Sequence, residues 1–364
     1  MNLWRIAWSY LWNRRLTTML TILSVALGVG LISTVLTLRE ETRRRFEEEG
    51  KYFDIVVGAK GNPLQLVLST VYFLDSPPGI IHASDLERLR HEEEVQAAYP
   101  IGMGDSYRGY RIVSTERSLM DYAYKDEKLF TLAEGNYFEK PFEAVLGAAV
   151  AQATGKKVGD TFVSTHGLIA VSAEDDGEGD HKEKPYTIVG ILKPSATSFD
   201  QAIYCDMESI WQAHEHKGEE EDAEEGHNHN PRELITAALV KLKSPAMRGD
   251  FKKKVNLEYN AMAVVPIEEI KKLYDQLISI AKAVLLAIGY LVVVISSLSI
   301  LIGLYMAILQ RKRDLAIMRA LGATRGEIFG AVLIEAFWVT LLGLGAGWLL
   351  GAGVCYAVGA YLAS

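Results

Sequence analysis

The sequence predicts a membrane protein in which an α-helical transmembrane bundle carries a large mixed α/β extracytoplasmic domain. Three observations predict this class: three long runs without charge, a long acidic stretch between the first two runs, and a short basic linker before the third. An α-helix of about 20 apolar residues spans about 30 Å of hydrocarbon, and each run is at least that long. We therefore predict transmembrane spans at residues 16–38, 277–309 and 328–363.

The first element, residues 1–15, is predicted to be an elbow helix on the cytoplasmic side. Trp4, Trp8 and Trp12 recur every fourth residue, which places them on one face of a helix. Tryptophan beside arginine is typical of a helix that lies in the headgroup layer of a lipid membrane. The alternative is an ordinary interfacial start to the first span.

The second element, residues 39–272, is long enough to fold around its own core. Strand-like runs such as YTIVGIL and ITAALVKL alternate there with helical stretches such as SDLERLRHEEE, which predicts a mixed α/β fold. The net charge of −8 comes largely from this region and argues against a nucleic-acid partner. The two cysteines form no CxxC motif, so neither a redox site nor a cysteine-based zinc site is predicted.

Within this domain, residues 214–229 form a histidine-rich and acidic loop, HEHKGEEEDAEEGHNH. Two H-x-H pairs flank the acidic run, and neutral imidazoles are ligands that suit zinc and copper. Such a sequence is equally typical of a solvated, disordered insertion, so weak zinc binding and an insertion that binds no metal both stay open. The four candidate ligands are His214, His216, His227 and His229.

The linker at residues 310–327 determines the predicted topology. It holds five basic residues between two spans, and a short basic loop stays on the cytoplasmic side. A large folded domain, in contrast, crosses the membrane with little regard to its charge. We therefore predict a multi-pass protein with a cytoplasmic N-terminus and with residues 39–272 outside. A cysteine placed at Ser114 should then be labelled from outside intact cells.

The linker also predicts a helix, a break and a second helix. Ile317, Met318 and Leu321 lie on one side of a helical wheel, which makes this helix amphipathic. Gly322 supplies a C-terminal stop, and the pattern T-x-x-E from Thr324 is a capping box that starts the third span. A basic anchor that only sets topology would explain the charges, whereas a docking surface also explains the apolar face.

The linker segment RKRDLAIMRALGATRGEIFGAVLIEA is similar to the cytoplasmic segment of FtsX-like and MacB-type ABC transporter permeases. Two segments resemble the MacB-like extracytoplasmic core domain, namely EAVLGAAVAQATGKKVGDTF and YTIVGILKPSATSFDQAIY. The same family is resembled by the opening segment, RIAWSYLWNRRLTTMLTILSVALGVGL. The resemblance implies that the linker couples to an ATPase through the following residues: Arg311, Arg313, Asp314, Leu315, Ile317, Met318, Arg319, Leu321, Gly322 and Thr324.

The resemblance further implies a bacterial inner-membrane permease that forms a homodimer and moves its outer domain when a partner ATPase closes on ATP. In that family three helices follow the outer domain, so a fourth span is expected beyond the three found in this sequence. A periplasmic adaptor or another extracytoplasmic protein is an expected partner. The function that the resemblance implies is export or extraction of a substrate. The alternatives are an FtsX-like regulator of an external enzyme and a metal-linked transporter.

No catalytic chemistry is predicted for this chain. The nearest approach to a phosphate loop, Gly155 with the two lysines after it, lacks the required earlier glycine and the hydroxyl residue. ATP and magnesium are therefore expected in a separate ATPase subunit. Gly343, Gly347 and Gly351 form a small-residue stripe that allows close helix packing in lipid, against a fourth helix, the first span or a second copy.

Overall fold

The chain folds into two compact units. The structure is a computed structural model that describes residues 8–9, 12, 15–167, 184–213, 234–310, 316–317, 319–320, 322 and 324–362. Residues Arg45–Tyr274 form one unit, which we call the outer unit. Met1–Arg44 together with Asp275–Ser364 form the other, which we call the helical unit.

The helices are numbered in chain order. They are α1 (Arg15–Glu49), α2 (Pro63–Thr70), α3 (Ala83–Arg90), α4 (Ala148–Thr154), α5 (Arg248–Glu258), α6 (Pro266–Gln310) and α7 (Arg325–Leu362). The longest three supply the helical unit, and α1 and α6 continue into the outer unit.

The strands are numbered in the same way. They are β1 (Ile55–Gly58), β2 (Ile81–His82), β3 (Val95–Tyr107), β4 (Tyr110–Thr115), β5 (Ala123–Tyr124), β6 (Glu127–Lys128), β7 (Leu132–Gly135), β8 (Glu143–Leu146), β9 (Thr161–Phe162), β10 (Thr165–His166), β11 (Tyr186–Leu192), β12 (Ala202–Asp206), β13 (Leu234–Ile235), β14 (Ala237–Leu242) and β15 (Met262–Val264).

The outer unit is built around one mixed β-sheet. Its main strand order in the described residues is β15-β1-β14-β3-β4-β12-β8-β11-β7, with β9 paired to β11 and β10 paired to β3. The pairs β4–β12 and β8–β11 are parallel, whereas the other pairs of this sheet are antiparallel. The mixed α/β fold expected for this region is therefore present.

Both faces of the sheet are buried. Alternate residues of a strand point to opposite faces, so Val56 packs into one apolar cluster while Ile55 and Val57 pack into another. Strand β1 reads IVVG without alternation because it is covered on both sides. Helices α3 and α5 contribute Leu86 and Phe251 to the second cluster.

Among the residues of the helical unit that the structure describes, two helices are long and apolar enough to cross a membrane. The apolar segments are Thr18–Thr37 within α1 and Arg325–Ala357 within α7. Large apolar side chains are exposed along these segments, including Leu20 and Leu27 on α1 and Trp348 and Leu349 on α7. Such surfaces are suited to lipid.

Candidate functional site

The linker between α6 and α7 contains the predicted helix and its predicted stop. Residues 316–317 and 319–320 are helical, and Ile317 has 51% of its surface exposed. Gly322 adopts a left-handed φ of +96°, and its N–H donates to the carbonyl oxygen of Arg319 at 3.1 Å. Glycine takes this conformation without the steric cost of a Cβ, so it ends the helix.

A capping box then starts α7. The Thr324 backbone N–H donates to Oε2 of Glu327 at 2.8 Å, and the Glu327 N–H donates back to Thr324 Oγ1 at 3.2 Å. The Thr324 hydroxyl also donates to Glu327 Oε2 at 3.0 Å. This reciprocal pairing satisfies backbone donors that the first turn of a helix leaves free. The capping box expected from the T-x-x-E pattern is confirmed.

The remaining candidate coupling residues lie outside the described residues. Their assignment to ATPase coupling stays a prediction, as does that of the described Ile317, Arg319, Gly322 and Thr324. The residues outside the described part are Arg311, Arg313, Asp314, Leu315, Met318 and Leu321.

The three predicted packing glycines of α7 face α1. A Cβ added at Gly343 would lie 2.7 Å from Cβ of Val25, and one at Gly347 would lie 2.7 Å from the carbonyl oxygen of Ala26. At Gly351 an added Cβ would lie 2.9 Å from Cβ of Ser33. Real Cβ contacts are longer than this, so any side chain here would force the two helices apart.

Helices α1 and α7 run parallel. Gly343, Gly347 and Gly351 of α7 contact, in that order, Val25, Ala26 and Ser33 of α1. Residue numbers therefore rise in the same direction along both helices. The contact extends to Cys355, whose Sγ lies 3.9 Å from the carbonyl oxygen of Thr34. Towards the other end, Trp8 and Trp338 make an edge-to-face contact with ring centroids 5.4 Å apart.

The C-terminal end of α1 is held in the outer unit by a buried carboxylate. Glu49, the last residue of α1, accepts a hydrogen bond from the backbone N–H of Ser198 at 3.3 Å. The Ser198 hydroxyl donates to the carbonyl oxygen of Val71 at 2.8 Å. Burial raises the pKa of Glu49 above its usual value, with a smaller contribution from the negative charge of Asp200.

The segment that receives Glu49 is itself held in one conformation. Asp200 accepts from the backbone N–H groups of Ser195 and Ala196 at 2.8–3.0 Å and from the Ser195 hydroxyl at 2.8 Å. Ala196 has a φ of +55°, which a non-glycine residue rarely adopts. The carboxylate therefore stabilises a backbone turn that would otherwise be strained.

A second buried carboxylate fastens the strands next to this region. Asp54 has no exposed surface and accepts from Lys241 Nζ at 3.0 Å, from Arg248 Nε at 2.8 Å and from the Leu242 N–H at 3.0 Å. It thus ties the start of β1 to β14 and α5. Pairing with two cations and a backbone donor makes the burial of this charge tolerable.

The histidine loop lies outside the described residues. This applies to the four candidate ligands and to the whole of residues 214–229. Within the described part of the chain, the structure has no group of three or more His, Cys, Asp or Glu side chains arranged to hold a metal. Cys205 is fully buried, and burial raises the pKa of its thiol, so it is an unreactive core residue.

The sequence did not single out Glu49, Asp54 or Ser198. Glu49 ends the run EEE, which is typical of a solvated helix face, and Asp54 precedes an apolar strand as many surface residues do. Gly50, directly after Glu49, was a usable signal for the end of a helix. A Cβ there would lie 3.2 Å from Cα of Ile267, so the close approach explains the glycine.

Comparison with known proteins gives two family matches. Residues 18–256 match the MacB-like periplasmic core domain, and residues 286–363 match the FtsX-like permease C-terminal domain. The chain is 23% identical over 95% of its length to the macrolide export ATP-binding/permease protein MacB of Nitrosomonas europaea. It is 24% identical over 98% of its length to the pyoverdine export ATP-binding/permease protein PvdT of Pseudomonas fluorescens. The chain spans about half the length of these curated relatives, 50% and 51%.

Two solved structures of outer domains are also similar in part. The extracellular domain of the noncanonic ABC-type transporter YknZ from Gram-positive bacteria aligns with a TM-score of 0.32 at 12% identity, over 58% of this chain and 98% of that one. The periplasmic region of MacB from Actinobacillus actinomycetemcomitans aligns with a TM-score of 0.37 at 10% identity, over 62% and 95%. On the family match, which covers more than half of its residues, the chain belongs to the MacB/FtsX-like family of ABC transporter permeases, with the mixed α/β unit as its extracytoplasmic core domain.

Proposed function

We propose that this chain is the membrane subunit of an ABC exporter, in which a separate ATPase subunit drives movement of the outer unit. The observation that carries the proposal is the linker between α6 and α7. An exposed apolar residue, Ile317, is followed within a few residues by a left-handed stop at Gly322 and a capped helix at Thr324. A docking helix joined to a span by so short a connection would pass a displacement on directly.

The parallel course of α1 and α7 supports a topology of three spans. If both helices cross the membrane in the same direction, the chain between them must return to the first side by an odd number of crossings. Helix α6 contains 45 residues, about 68 Å at 1.5 Å per residue, and suits that return. The basic linker then assigns the side, because short basic loops remain cytoplasmic. Under this proposal residues 277–309 are the second span in an inner membrane.

The length of α1 and α6 supports mechanical coupling. Helix α1 has 35 residues, about 52 Å, which exceeds the roughly 30 Å of hydrocarbon by several turns. Both helices continue without a break from an apolar segment into the outer unit. A continuous helix is a stiff connection, so movement at its cytoplasmic end would reach the outer unit rather than be absorbed by a loop.

The docking role is tested by a double substitution, Ile317→Asp with Leu321→Asp. We expect the ATPase to be lost from the purified complex, because a charge on the apolar face would have to be desolvated at the interface. Leu257→Asp is the matched control, since Leu257 is an apolar residue of α5 with 85% exposure in the outer unit. Retention of the ATPase by the double variant, with normal membrane insertion, would refute docking at this segment.

The topology is tested by cysteine labelling in intact cells. Ser114, the position chosen from the sequence, is unsuitable because it is buried in β4 and its hydroxyl donates to the carbonyl oxygen of Gly102 at 3.1 Å. Leu257→Cys should react with an impermeant maleimide from outside, whereas Ala320→Cys should react only after permeabilisation. The opposite pattern would reverse the proposed orientation.

The partners and the substrate follow from the same proposal. We propose a homodimer with two ATPase subunits, an extracytoplasmic partner such as an adaptor, and no ATP site in this chain. An FtsX-like regulator of an external enzyme would use the same coupling elements, and metal-linked transport would depend on the histidine loop. Affinity purification of the tagged chain and identification of the outer partner separate these alternatives.

A further inference from the structure

The contact between α1 and α7 extends over most of the apolar length of α1. Besides the three glycines of α7, Gly30 of α1 is in close contact, because a Cβ there would lie 3.2 Å from the carbonyl oxygen of Gly347. The backbones of the two helices therefore touch directly near their middle. The Trp8–Trp338 and Cys355–Thr34 contacts are made on either side of these glycines.

Such a contact resists sliding. A Cβ added at Gly343 or Gly347 would lie only 2.7 Å from atoms of α1, so there is no spare volume between the two helices at these glycines. If one helix moved lengthwise past the other, atoms of α1 would collide with the neighbouring side chains of α7. Interdigitated packing has discrete arrangements and does not deform continuously. The pair thus differs from two helices that touch through long, flexible side chains.

One end of this helix pair adjoins the linker, and the other end contacts the outer unit's own residues. Helix α7 begins at the capping box directly after the linker helix. Helix α1 ends at Glu49, which the backbone of Ser198 contacts, and Ser198 in turn contacts Val71. The receiving segment, residues 195–200, is held rigid by Asp200.

We propose that α1 and α7 move as one rigid piece that delivers displacement of the cytoplasmic linker to the segment at residues 195–200 through Glu49. Glu49 is a positioning residue in this scheme. The inference rests on the proposed function, because it requires an ATPase that moves the linker. It adds to that function the elements that transmit the displacement, which are helices α1 and α7 moving together.

A disulfide between the two helices tests the rigid pair. Thr34→Cys introduces a thiol at the residue whose carbonyl oxygen lies 3.9 Å from Sγ of the native Cys355, without changing a glycine, and Cys205 is buried and unreactive. The variant is purified as the complex with its ATPase and oxidised, and the intrachain disulfide is verified by mass spectrometry. The two readouts are ATP hydrolysis and the ATP-dependent change in hydrogen exchange of the peptide covering residues 193–204.

We expect both readouts to be the same in the oxidised and the reduced complex. Loss of the ATP-dependent exchange on oxidation, with recovery on reduction, would show that the helices slide and would overturn the inference alone. Failure of the disulfide to form would contradict the helix contact. Absence of any ATP-dependent change in the reduced complex would refute the proposed function and, with it, this inference.

The role of Glu49 is tested by a second set of variants. Glu49→Ala removes the acceptor for Ser198, so ATP hydrolysis should persist while the exchange response at residues 193–204 is lost. Glu49→Gln retains an acceptor oxygen and should restore the response, whereas Glu49→Met, which fills a similar volume without that oxygen, should not. An unchanged response in Glu49→Ala, with normal exchange in the absence of ATP, would overturn the assignment.

Discussion

The sharpest test of the helix contact compares two glycines of α7 that lie two residues apart. Gly347 is buried against α1, and an added Cβ would lie 2.7 Å from both the Ala26 carbonyl oxygen and Cβ of Val29. Gly345 is exposed, and an added Cβ would have nothing within 4 Å. The substitutions Gly347→Ala and Gly345→Ala therefore add the same methyl group to two different environments.

The size of the effect follows from the distances. Carbon atoms in favourable contact are about 3.5–4.0 Å apart, so the methyl group at position 347 requires a separation of about 1 Å. The opposing carbonyl oxygen belongs to the backbone and cannot rotate away. Overpacking of this kind costs about 1–3 kcal/mol, whereas alanine gains up to about 1 kcal/mol over glycine in helix propensity. We expect a net loss of about 1–2 kcal/mol at 347 and a neutral or slightly stabilising change at 345.

Two measurements check this expectation. Thermal unfolding of the purified full-length chain in detergent should show a midpoint lowered by a few degrees in Gly347→Ala. A loss of about 1 kcal/mol divided by the unfolding entropy of a domain gives a shift of about this size. The rate of disulfide formation between Thr34→Cys and Cys355 should fall in the same variant. Equal midpoints and equal cross-linking rates for the two alanine variants would refute close packing of α1 on α7.

Three further predictions concern the outer unit. Asp54→Asn should destabilise the chain by about 3 kcal/mol in urea titrations because it removes the buried charge that pairs with two cations, whereas Asp121→Asn, in an exposed ion pair, should change stability by less than about 1 kcal/mol. The pKa of Glu49 is raised by burial, so the folded state binds the proton of Glu49 more tightly than the unfolded chain does. Lowering the pH toward the usual value of 4.5 should therefore increase the free energy of unfolding of the parent chain relative to Glu49→Gln. A difference in stability between the two that does not change with pH would contradict this. Calorimetry should detect weak zinc binding that is lost below about pH 6.5 as imidazoles protonate, and equal zinc uptake after replacement of the loop histidines by alanine would exclude that site. The replaced residues are His214, His216, His227 and His229.

Local patterns in the sequence predicted local structure well. The run YTIVGIL forms strand β11, and the helical stretch SDLERLR falls in α3. The capping box at Thr324 and the stop at Gly322 depend on neighbours three residues away, so their geometry follows from the sequence alone. These features need no information about distant parts of the chain.

Long-range contacts could not be predicted in the same way. The glycine spacing in α7 indicated a close helix contact but not the partner, because a fourth helix, α1 and a second copy would all suit a flat glycine face. Burial of Glu49 and Asp54 arises from residues more than 140 positions away, namely Ser198 for the first and Lys241 and Arg248 for the second. Sequence periodicity does not report such pairings.

The parallel contact of α1 with α7 constrains the membrane topology more strongly than charge counting alone. The first span has arginines on both flanks, so the positive-inside rule does not orient it. The linker before α7 is basic, so the proposed function places the start of α7 in the cytoplasm. Because α1 runs parallel to α7, the proposal gives α1 the same orientation and puts its end at Glu49 outside. The orientation proposed for one helix is thus extended to the other by packing, and the labelling of Leu257→Cys and Ala320→Cys tests both helices at once.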